Sequence, residues 1–410
     1  MRFSNIARYY PPLRQNEQTL GSSKRSGYME SKETKNTIRT FAWASFLNDM
    51  GSDMIYPVWP LFVTTVLNAN MAALGFLDGL GEALVSISQA VSGYLSDRLK
   101  RRKVFIWSGY LCGAVSRIGY SLSGTWQHLV PFRILDRAGK IRSAPRDAMI
   151  ADLCLKEDRG KNFGLLRAMD HLGAVCGILI CIALAGPLGY KNLFLLAALP
   201  TAVGAFMVFS LIRENNTERA KIYKGLALKD LDGNFRLFLF LSLFFALGSF
   251  SYSFLLIYAK TLGFKVSFVP VLYLVFTAVA ALFSLPFGKL SDKIGRKPVL
   301  ALSYILWGMV SLCFIFFHSH AGIFLAFVLY GLHKAALEPV QKTFVAELAP
   351  SQYRASALGG FQMATGLCAL PASLGAGLLW DKSGMLTPLF LSLGLTAVST
   401  VMLIFVKEKK

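Results

Sequence analysis

The sequence predicts an all-α membrane protein with twelve transmembrane helices arranged as two six-helix bundles. Hydrophobic residues make up 54% of its 410 residues and charged residues only 16%, which is too little charge to cover a soluble surface. Apolar runs of about 20 residues recur from Phe41 to Val406, and each is long enough to cross a bilayer as a helix. A membrane β-barrel would show short alternating segments instead.

The apolar runs are separated by polar loops, and we number them as spans 1 to 12 in chain order. Their predicted bounds are 38–66, 71–97, 103–123, 127–152, 161–185, 191–212, 236–260, 267–290, 298–317, 322–347, 355–380 and 386–406. The long polar stretch 213–235 is predicted to be a cytoplasmic linker between two bundles, 37–212 and 236–407. Residues 1–36 are polar and basic without a helical period, so they are predicted to form a disordered cytoplasmic tail.

The charge of the loops predicts the orientation of the chain. The loops rich in Lys and Arg are 97–103, 156–161, 213–225 and 291–297. The loops between them are 68–72, 124–128, 318–322 and 381–384. The positive-inside rule places the first set, and therefore both termini, in the cytoplasm. Because this rule accounts for the net charge of +20, we expect no nucleic-acid partner. The expected partners are the lipid bilayer and a small-molecule substrate, with a monomer as the default state.

A loop motif occurs twice, once in each half. The stretch "GYLSDRLKRRK" (93–103) follows span 2, and "GKLSDKIGRKP" (288–298) follows span 8. We predict that the two Asp side chains accept hydrogen bonds at the N-terminus of a neighbouring helix, where the dipole favours negative charge. The basic residues are expected to pair with acids at other helix ends, such as Asp152, in one transport state and to separate in another. The predicted gating residues are Gly93, Asp97, Arg101, Arg102, Gly288, Asp292, Arg296 and Lys297. The alternative is plain positive-inside anchoring with a tight turn.

Span 4 carries an unusual number of charges in "RILDRAGKIRSAPRDAMIAD" (133–152). At about 100° per residue, Arg133, Arg137 and Lys140 lie on one helix face. A cation in hydrocarbon costs several kcal/mol, so this face is predicted to line a protein-enclosed or wet cavity, where acids from neighbouring spans neutralise it. The residues predicted to form a proton relay or substrate cavity are Asp49, Asp53, Glu82, Arg133, Arg137, Asp170, Lys334 and Glu338. A static ion-pair network that fixes helix packing is the alternative.

Twelve spans in two halves with this paired loop motif resemble the major facilitator superfamily. The second copy fits the family pattern at every position, whereas Lys100 stands in the first where a glycine is usual. The resemblance implies that spans 1, 4, 7 and 10 line a central cavity. It matches Arg133 to the family's fourth-span arginine, although Asp136 and Arg137 replace the usual glutamine and glycine. It also implies a multi-pass transporter of the plasma (inner) membrane.

The predicted function is secondary active transport by alternating access, specifically proton-coupled efflux of a small organic compound, as in an antiporter. Acids inside the N-terminal half indicate the proton gradient as the energy source. No Walker loop, HExxH motif, G-x-S-x-G motif or metal-ligand cluster occurs in the sequence, so we expect no enzyme activity, cofactor or metal. The alternatives are a proton-coupled organic-anion or siderophore-type transporter, working in uptake or export, and a non-transporting membrane scaffold or sensor.

Overall fold

The computed structural model describes residues 32–99, 101–154, 159–214, 231–349 and 354–408, and every regular element in those ranges is helical. Residues 1–31 of the predicted tail lie outside this part of the chain, and the first helix begins at Lys32, within the predicted tail. Residues 215–230 of the predicted linker also lie outside it, and the next helix begins at Gly233.

The N-terminal half contains the helices of spans 1 to 6. They are Lys32–Asp53 with the short turns Trp59–Leu61 and Phe62–Val66 (span 1), Met71–Leu99 (span 2), Arg102–Leu122 (span 3), Trp126–Ala138, Gly139–Arg142 and Ser143–Leu153 (span 4), and Arg159–Leu211 (spans 5 and 6). The last run bends at Gly189, whose φ of 70° lies in the left-handed region that glycine adopts without strain. This bend turns one helical run into two spans.

The C-terminal half contains spans 7 to 12. They are Gly233–Gly248 and Tyr252–Thr261 (span 7), Val266–Phe268 and Val269–Ile294 (span 8), Arg296–Phe316 (span 9), His320–Leu348 (span 10), Arg354–Leu367 and Ala369–Ser383 (span 11), and Thr387–Ile404 (span 12). Eight helices in the described ranges are long and apolar enough to cross a membrane. One of them, Lys161–Leu211, is the bent run that supplies two spans. Spans 1, 3 and 4 are not among these eight helices, and counting them as well gives the twelve expected from the sequence.

Several spans that approach the centre of the molecule are interrupted. Span 1 breaks before the turn that contains Pro60, and the sequence there also holds Pro57, which has no backbone N–H to donate. Span 4 tightens to a 3₁₀ turn over Gly139–Arg142. Span 7 breaks before Ser251, whose side chain caps the second helix of that span by accepting a hydrogen bond from the Ser253 N–H. A broken helix leaves backbone N–H and C=O groups without helical partners, and such groups can line a cavity inside a membrane protein.

The distribution of side chains is that of a membrane protein. Large apolar side chains such as Leu122, Phe206 and Leu282 are exposed, whereas several Arg and Asp side chains are buried. Spans 1 to 6 pack mainly on one another, with spans 1 and 3 against the bent helix. Spans 7 to 12 pack in the same way, with span 10 between spans 8 and 9. This distribution places apolar side chains against the lipid and charged side chains in the interior of the protein.

The two faces of the molecule differ in how the halves meet. We call the side with residues 101–103 and 295–297 the basic-loop side, and the side with residues 67–70 and 317–319 the far side. Spans 2 and 11 pack closely along the far side. There Gly75 contacts the Ser373 backbone and Gly377 contacts the Met71 backbone, with no room for a β-carbon. The halves are therefore closed against each other on the far side.

Candidate functional site

The most enclosed charges of the cavity form one cluster around Asp78. Its Oδ1 accepts hydrogen bonds from the Trp59 Nε1–H and from Arg133 Nη2, each at 2.8 Å. The side chains of Arg133 and Asp78 are only 3% and 4% exposed, and the guanidinium lies 4.5 Å from the centroid of the Trp59 ring. Arg133, the buried cation predicted on span 4, is thus neutralised by an acid of span 2.

Asp78 also joins the two halves. Its Oδ2 accepts a hydrogen bond of 2.7 Å from the Ser251 hydroxyl, at the break in span 7. Nearby, the Tyr273 hydroxyl of span 8 donates to Asp53 Oδ1 at 3.1 Å, and the Tyr252 hydroxyl donates to the Tyr56 carbonyl at 3.4 Å. Carboxylates of the N-terminal half therefore accept hydrogen bonds from the C-terminal half.

Asp49 lies one turn before Asp53 and is half-buried. Its Oδ1 accepts a hydrogen bond of 2.8 Å from the neighbouring Asn48 side chain. Arg117 of span 3 is fully buried, and it donates to the Ala197 and Asn48 carbonyls and to the Ser52 hydroxyl. Arg117 thus ties spans 1, 3 and 6 together.

A second, looser group of charges faces the space between the halves. Arg137 Nη1 lies 3.7 Å from Glu82 Oε1, and its Nε lies 3.6 Å from Asp136 Oδ2. Across the cleft, Lys334 Nζ of span 10 lies 4.0 Å from Glu338 Oε1. Glu82 interacts electrostatically with both Arg137 and Lys334. The charges predicted on spans 2, 4 and 10 therefore lie close enough to interact electrostatically.

Asp170 belongs to a separate group. It is buried on span 5, and its Oδ2 lies 3.4 Å from Arg167 Nη1, one turn away on the same helix. It also interacts electrostatically with Asp49 and Arg146. Arg146 in turn donates to Asp147 at 3.0 Å and to the Ser45 hydroxyl, so this group links spans 1, 4 and 5. The predicted relay residues thus fall into three groups, around Asp78, around Arg137 and Glu82, and around Asp170.

The far-side contact between spans 2 and 11 has its own polar element. Asp381, at the end of span 11, accepts hydrogen bonds from the backbone N–H groups of Met71 at 3.1 Å and Ala72 at 2.8 Å. These are the first residues of span 2, where the helix dipole favours a carboxylate. Asp381 therefore caps a helix of the opposite half.

The loop motifs lie on the basic-loop side, as the sequence indicates, but the helix starts there are capped by other acids. The N–H groups of Arg102 and Lys103 donate to Glu214, and those of Arg296 and Lys297 donate to Glu408. Each acid follows the last span of its half, and the separation along the chain is 112 residues in both halves. The internal repeat thus extends beyond the motif itself.

The motif side chains pair as follows. Arg102 donates to Asp152, and Arg296 donates to Asp292 and to Glu347 at the end of span 10. Asp292, expected to accept hydrogen bonds at the N-terminus of a neighbouring helix, accepts from the Arg296 guanidinium, and Glu408 accepts at the start of span 9. Lys297 Nζ donates to the Ile404 carbonyl at 2.6 Å. A β-carbon at Gly93 would contact Ala144, whereas one at Gly288 would meet no neighbouring segment of the described chain within 4 Å. Arg101 is exposed at the start of span 3. The side chain of Asp97 lies outside the described part of the chain.

Gly295 occupies the glycine position of the second loop motif. It has a φ of 101°, a conformation that side chains with a β-carbon rarely adopt, and it separates spans 8 and 9 by a single residue. Lys100 stands at this position in the first copy and lies outside the described residues. The glycine of the second copy is therefore required by the backbone of its turn.

The comparisons with known proteins agree with this architecture. The model of the Major Facilitator Superfamily matches residues 41–272 and 237–410. The chain belongs to the Major Facilitator Superfamily. An MFS-type transporter of Methanocaldococcus jannaschii is 36% identical over 384 residues, which are 92% of this chain and 96% of the relative. The multidrug resistance protein MdtG of Salmonella paratyphi C is 26% identical over 75% of this chain and 79% of its own.

A solved structure shows the same fold at low identity. The crystal structure of the nucleoside transporter NupG, in a mutant form, superposes with a TM-score of 0.75 at 14% identity and covers 91% of this chain and 100% of that chain. Membership of the superfamily makes the protein a membrane-embedded transporter and not an enzyme.

Several residues of this MFS transporter's site were missed as site residues by the sequence reasoning. Among them are Asp78, Tyr273, Ser251, Asp381, Glu214 and Glu408. The two glutamates had a usable signal, because each follows a basic residue just after the last span of its half. Ser251 and Asp381 had none, because their partners lie 173 and 309 or 310 residues away in the chain.

Proposed function

We propose that this superfamily member exports a small organic compound across the cytoplasmic membrane by alternating access, driven by proton entry. The basic-loop side is then the cytoplasmic side, with both termini in the cytoplasm of a multi-pass inner-membrane protein. The working unit is a monomer, and it needs no cofactor other than the proton gradient. Similarity to a multidrug resistance protein supports efflux as the direction.

One observation carries the proposal of proton coupling. Asp53 and Asp78 are buried acids of the N-terminal half, and each accepts a hydrogen bond from a hydroxyl of the C-terminal half. Rocking of the halves removes those donors, and the proton affinity of a carboxylate depends on the hydrogen bonds it accepts. Protonation and conformation are therefore thermodynamically linked, since each changes the equilibrium of the other.

The alternating cycle follows from the positions of the contacts. With the far side closed by spans 2 and 11, the cavity around Glu82 and Lys334 faces the cytoplasm and takes up its compound there. Opening the far side separates Asp53 from Tyr273 and Asp78 from Ser251, which exposes both carboxylates to external protons. The loop-motif residues Arg102 and Arg296 then form or break ion pairs with acids at other helix ends, which closes or opens the cytoplasmic side.

Replacing Asp53 by Asn is expected to abolish proton-driven transport, because an amide keeps the shape of the carboxylate but cannot bind and release the proton. The same change at Asp49 or Asp170 tests the other predicted relay acids. The measurement is movement of labelled cations, anions and neutral compounds in proteoliposomes under an imposed pH gradient. Downhill exchange of the same compound should survive the change, because exchange needs no net proton movement.

Asp232→Asn is the matched control, because this exposed acid at the start of span 7 loses the same charge outside the cavity, and asparagine caps a helix as aspartate does. Proton-driven transport that persists unchanged in all three Asp variants would rule out the relay. A scaffold or sensor is the competing class, and it predicts no gradient-driven movement of any compound by the unaltered protein. Gradient-driven uptake in the opposite direction would replace efflux by import.

A further inference from the structure

We propose that Arg137 and Lys334, one from each half, form a binding site for a carboxylate-bearing substrate, with Glu82 as the internal carboxylate that the substrate displaces. The proposal deepens the transport function above and rests on it. It names the chemical group that the cavity recognises, a carboxylate on a small organic molecule, and the residues that hold it.

Arg137 is a buried guanidinium with unused donors. Its side chain is 8% exposed, yet it donates no hydrogen bond to any described residue. The nearest carboxylate oxygens, on Asp136 and Glu82, lie 3.6 and 3.7 Å away, beyond the usual 2.7 to 2.9 Å of a charge-assisted bond. Burying a polar group without hydrogen-bond partners costs free energy. A ligand that supplies two oxygen acceptors would therefore stabilise the Arg137 guanidinium.

The guanidinium is also held in position. Its centre lies 5.0 Å from the centroid of the Tyr56 ring, and Tyr56 is fixed in the break of span 1, where its carbonyl accepts the Tyr252 hydroxyl. Stacking on an aromatic face orients the planar fork of an arginine, and that fork matches the two oxygens of a carboxylate. Binding therefore requires little reorganisation of Arg137.

Lys334 supplies the second cation from the opposite half. Its Nζ lies 4.0 Å from Glu338 and 5.9 Å from the centroid of the Tyr330 ring, and it makes no hydrogen bond to the described residues. The Glu82 side chain interacts electrostatically with both cations, is 56% exposed and accepts no hydrogen bond from the described residues. Two cations thus share one loosely held, accessible carboxylate.

Displacement of Glu82 connects binding to the movement of the halves. When a substrate carboxylate takes the fork of Arg137, Glu82 is released from Arg137 and keeps Lys334 as its cation. Asp136 stays beside Arg137, and Glu338 stays beside Lys334. Because Glu82 lies on span 2 and Lys334 on span 10, a stronger attraction between them draws the two halves together. Substrate binding therefore favours the state in which the basic-loop side closes, as a transporter requires.

The test compares three small aromatic probes that differ in one group. We use 4-fluorobenzoate, its neutral isostere 4-fluorobenzamide and the cation 4-fluorobenzylamine, and we follow binding to the full-length purified protein by ¹⁹F line broadening. The benzoate is expected to bind about tenfold or more tightly than the amide, since charge-assisted bonds are the strong ones. Equal binding of benzoate and amide, or no broadening of benzoate at millimolar concentration, overturns the proposal.

Variants separate recognition from structure. Arg137→Gln is expected to weaken benzoate binding about tenfold or more, and Lys334→Gln severalfold. Glu82→Gln is expected to strengthen benzoate binding, because it removes the competing carboxylate, whereas a purely structural ion pair predicts weaker or unchanged binding. Since Glu82 is exposed, this variant folds even if Arg137→Gln does not. Lys265→Gln is the matched control for loss of an exposed cation and should leave binding unchanged.

The binding assay needs no gradient, so the two proposals can fail separately. A benzoate that binds through Arg137 while no compound is moved by a pH gradient contradicts the transport proposal alone. Gradient-driven movement of amines or neutral compounds without any preference for carboxylates contradicts the site alone. Weaker benzoate binding in Glu82→Gln likewise overturns displacement of that carboxylate.

Discussion

Replacing Arg133 by Gln is expected to lower the stability of the protein more than any other single change in the cavity. The change leaves the Asp78 carboxylate, which is 4% exposed, without its cation, and it removes the contact with the Trp59 ring. Removing one partner of a buried ion pair typically costs about 3–5 kcal/mol, because the remaining charge stays desolvated. The measurement is the apparent melting temperature of the purified protein in detergent, followed by intrinsic fluorescence.

A double-variant cycle distinguishes this explanation from a general packing defect. Asp78→Asn alone leaves Arg133 uncompensated and should also destabilise the protein. Combining Arg133→Gln with Asp78→Asn removes both charges, so the double variant should be less destabilised than the sum of the single variants. A loss in the double variant equal to that sum would show that the ion pair is not what holds these side chains in place.

Replacing Gly377 by Leu is expected to abolish transport by preventing closure of the far side. A β-carbon at Gly377 would collide with the Met71 carbonyl and the Ala72 backbone of span 2, and backbone atoms cannot move aside as a flexible side chain can. Overpacking at a tight contact costs about 1–3 kcal/mol, which shifts the equilibrium between states about fivefold to 150-fold toward the far-side-open state. Transport in proteoliposomes measures the loss.

The same helix supplies a matched control. Gly375 lies two residues earlier on span 11, and a β-carbon there meets no atom within 4 Å. Gly375→Leu should therefore transport normally. A buried cysteine placed at Ser373 reports the state directly, since it should react with a membrane-impermeant thiol reagent faster in Gly377→Leu than in Gly375→Leu. Equal reactivity and equal transport in the two variants would exclude this contact as the far-side closure.

Sequence reasoning located the charges of the site but not their partners. The helical spacing of Arg133 and Arg137 on span 4 is a local property, and so is the cost of exposing them to lipid. The sequence also contained Asp78 near Glu82, yet only Glu82 was selected for the cavity on estimated depth. The structure assigns Asp78 to Arg133 at 2.8 Å and leaves Glu82 exposed beside Arg137, because the tilt and rotation of span 2 depend on packing against other helices.

The helix count, the paired loop motif and the presence of buried charges followed from the sequence alone, because apolar run length, loop charge and helical periodicity are local quantities. Only the tertiary structure decided that Ser251 and Tyr273 bind acids of the other half, and that Asp381 caps span 2. These contacts join residues far apart in the chain, and they depend on how the two halves are placed against each other, which no local pattern encodes.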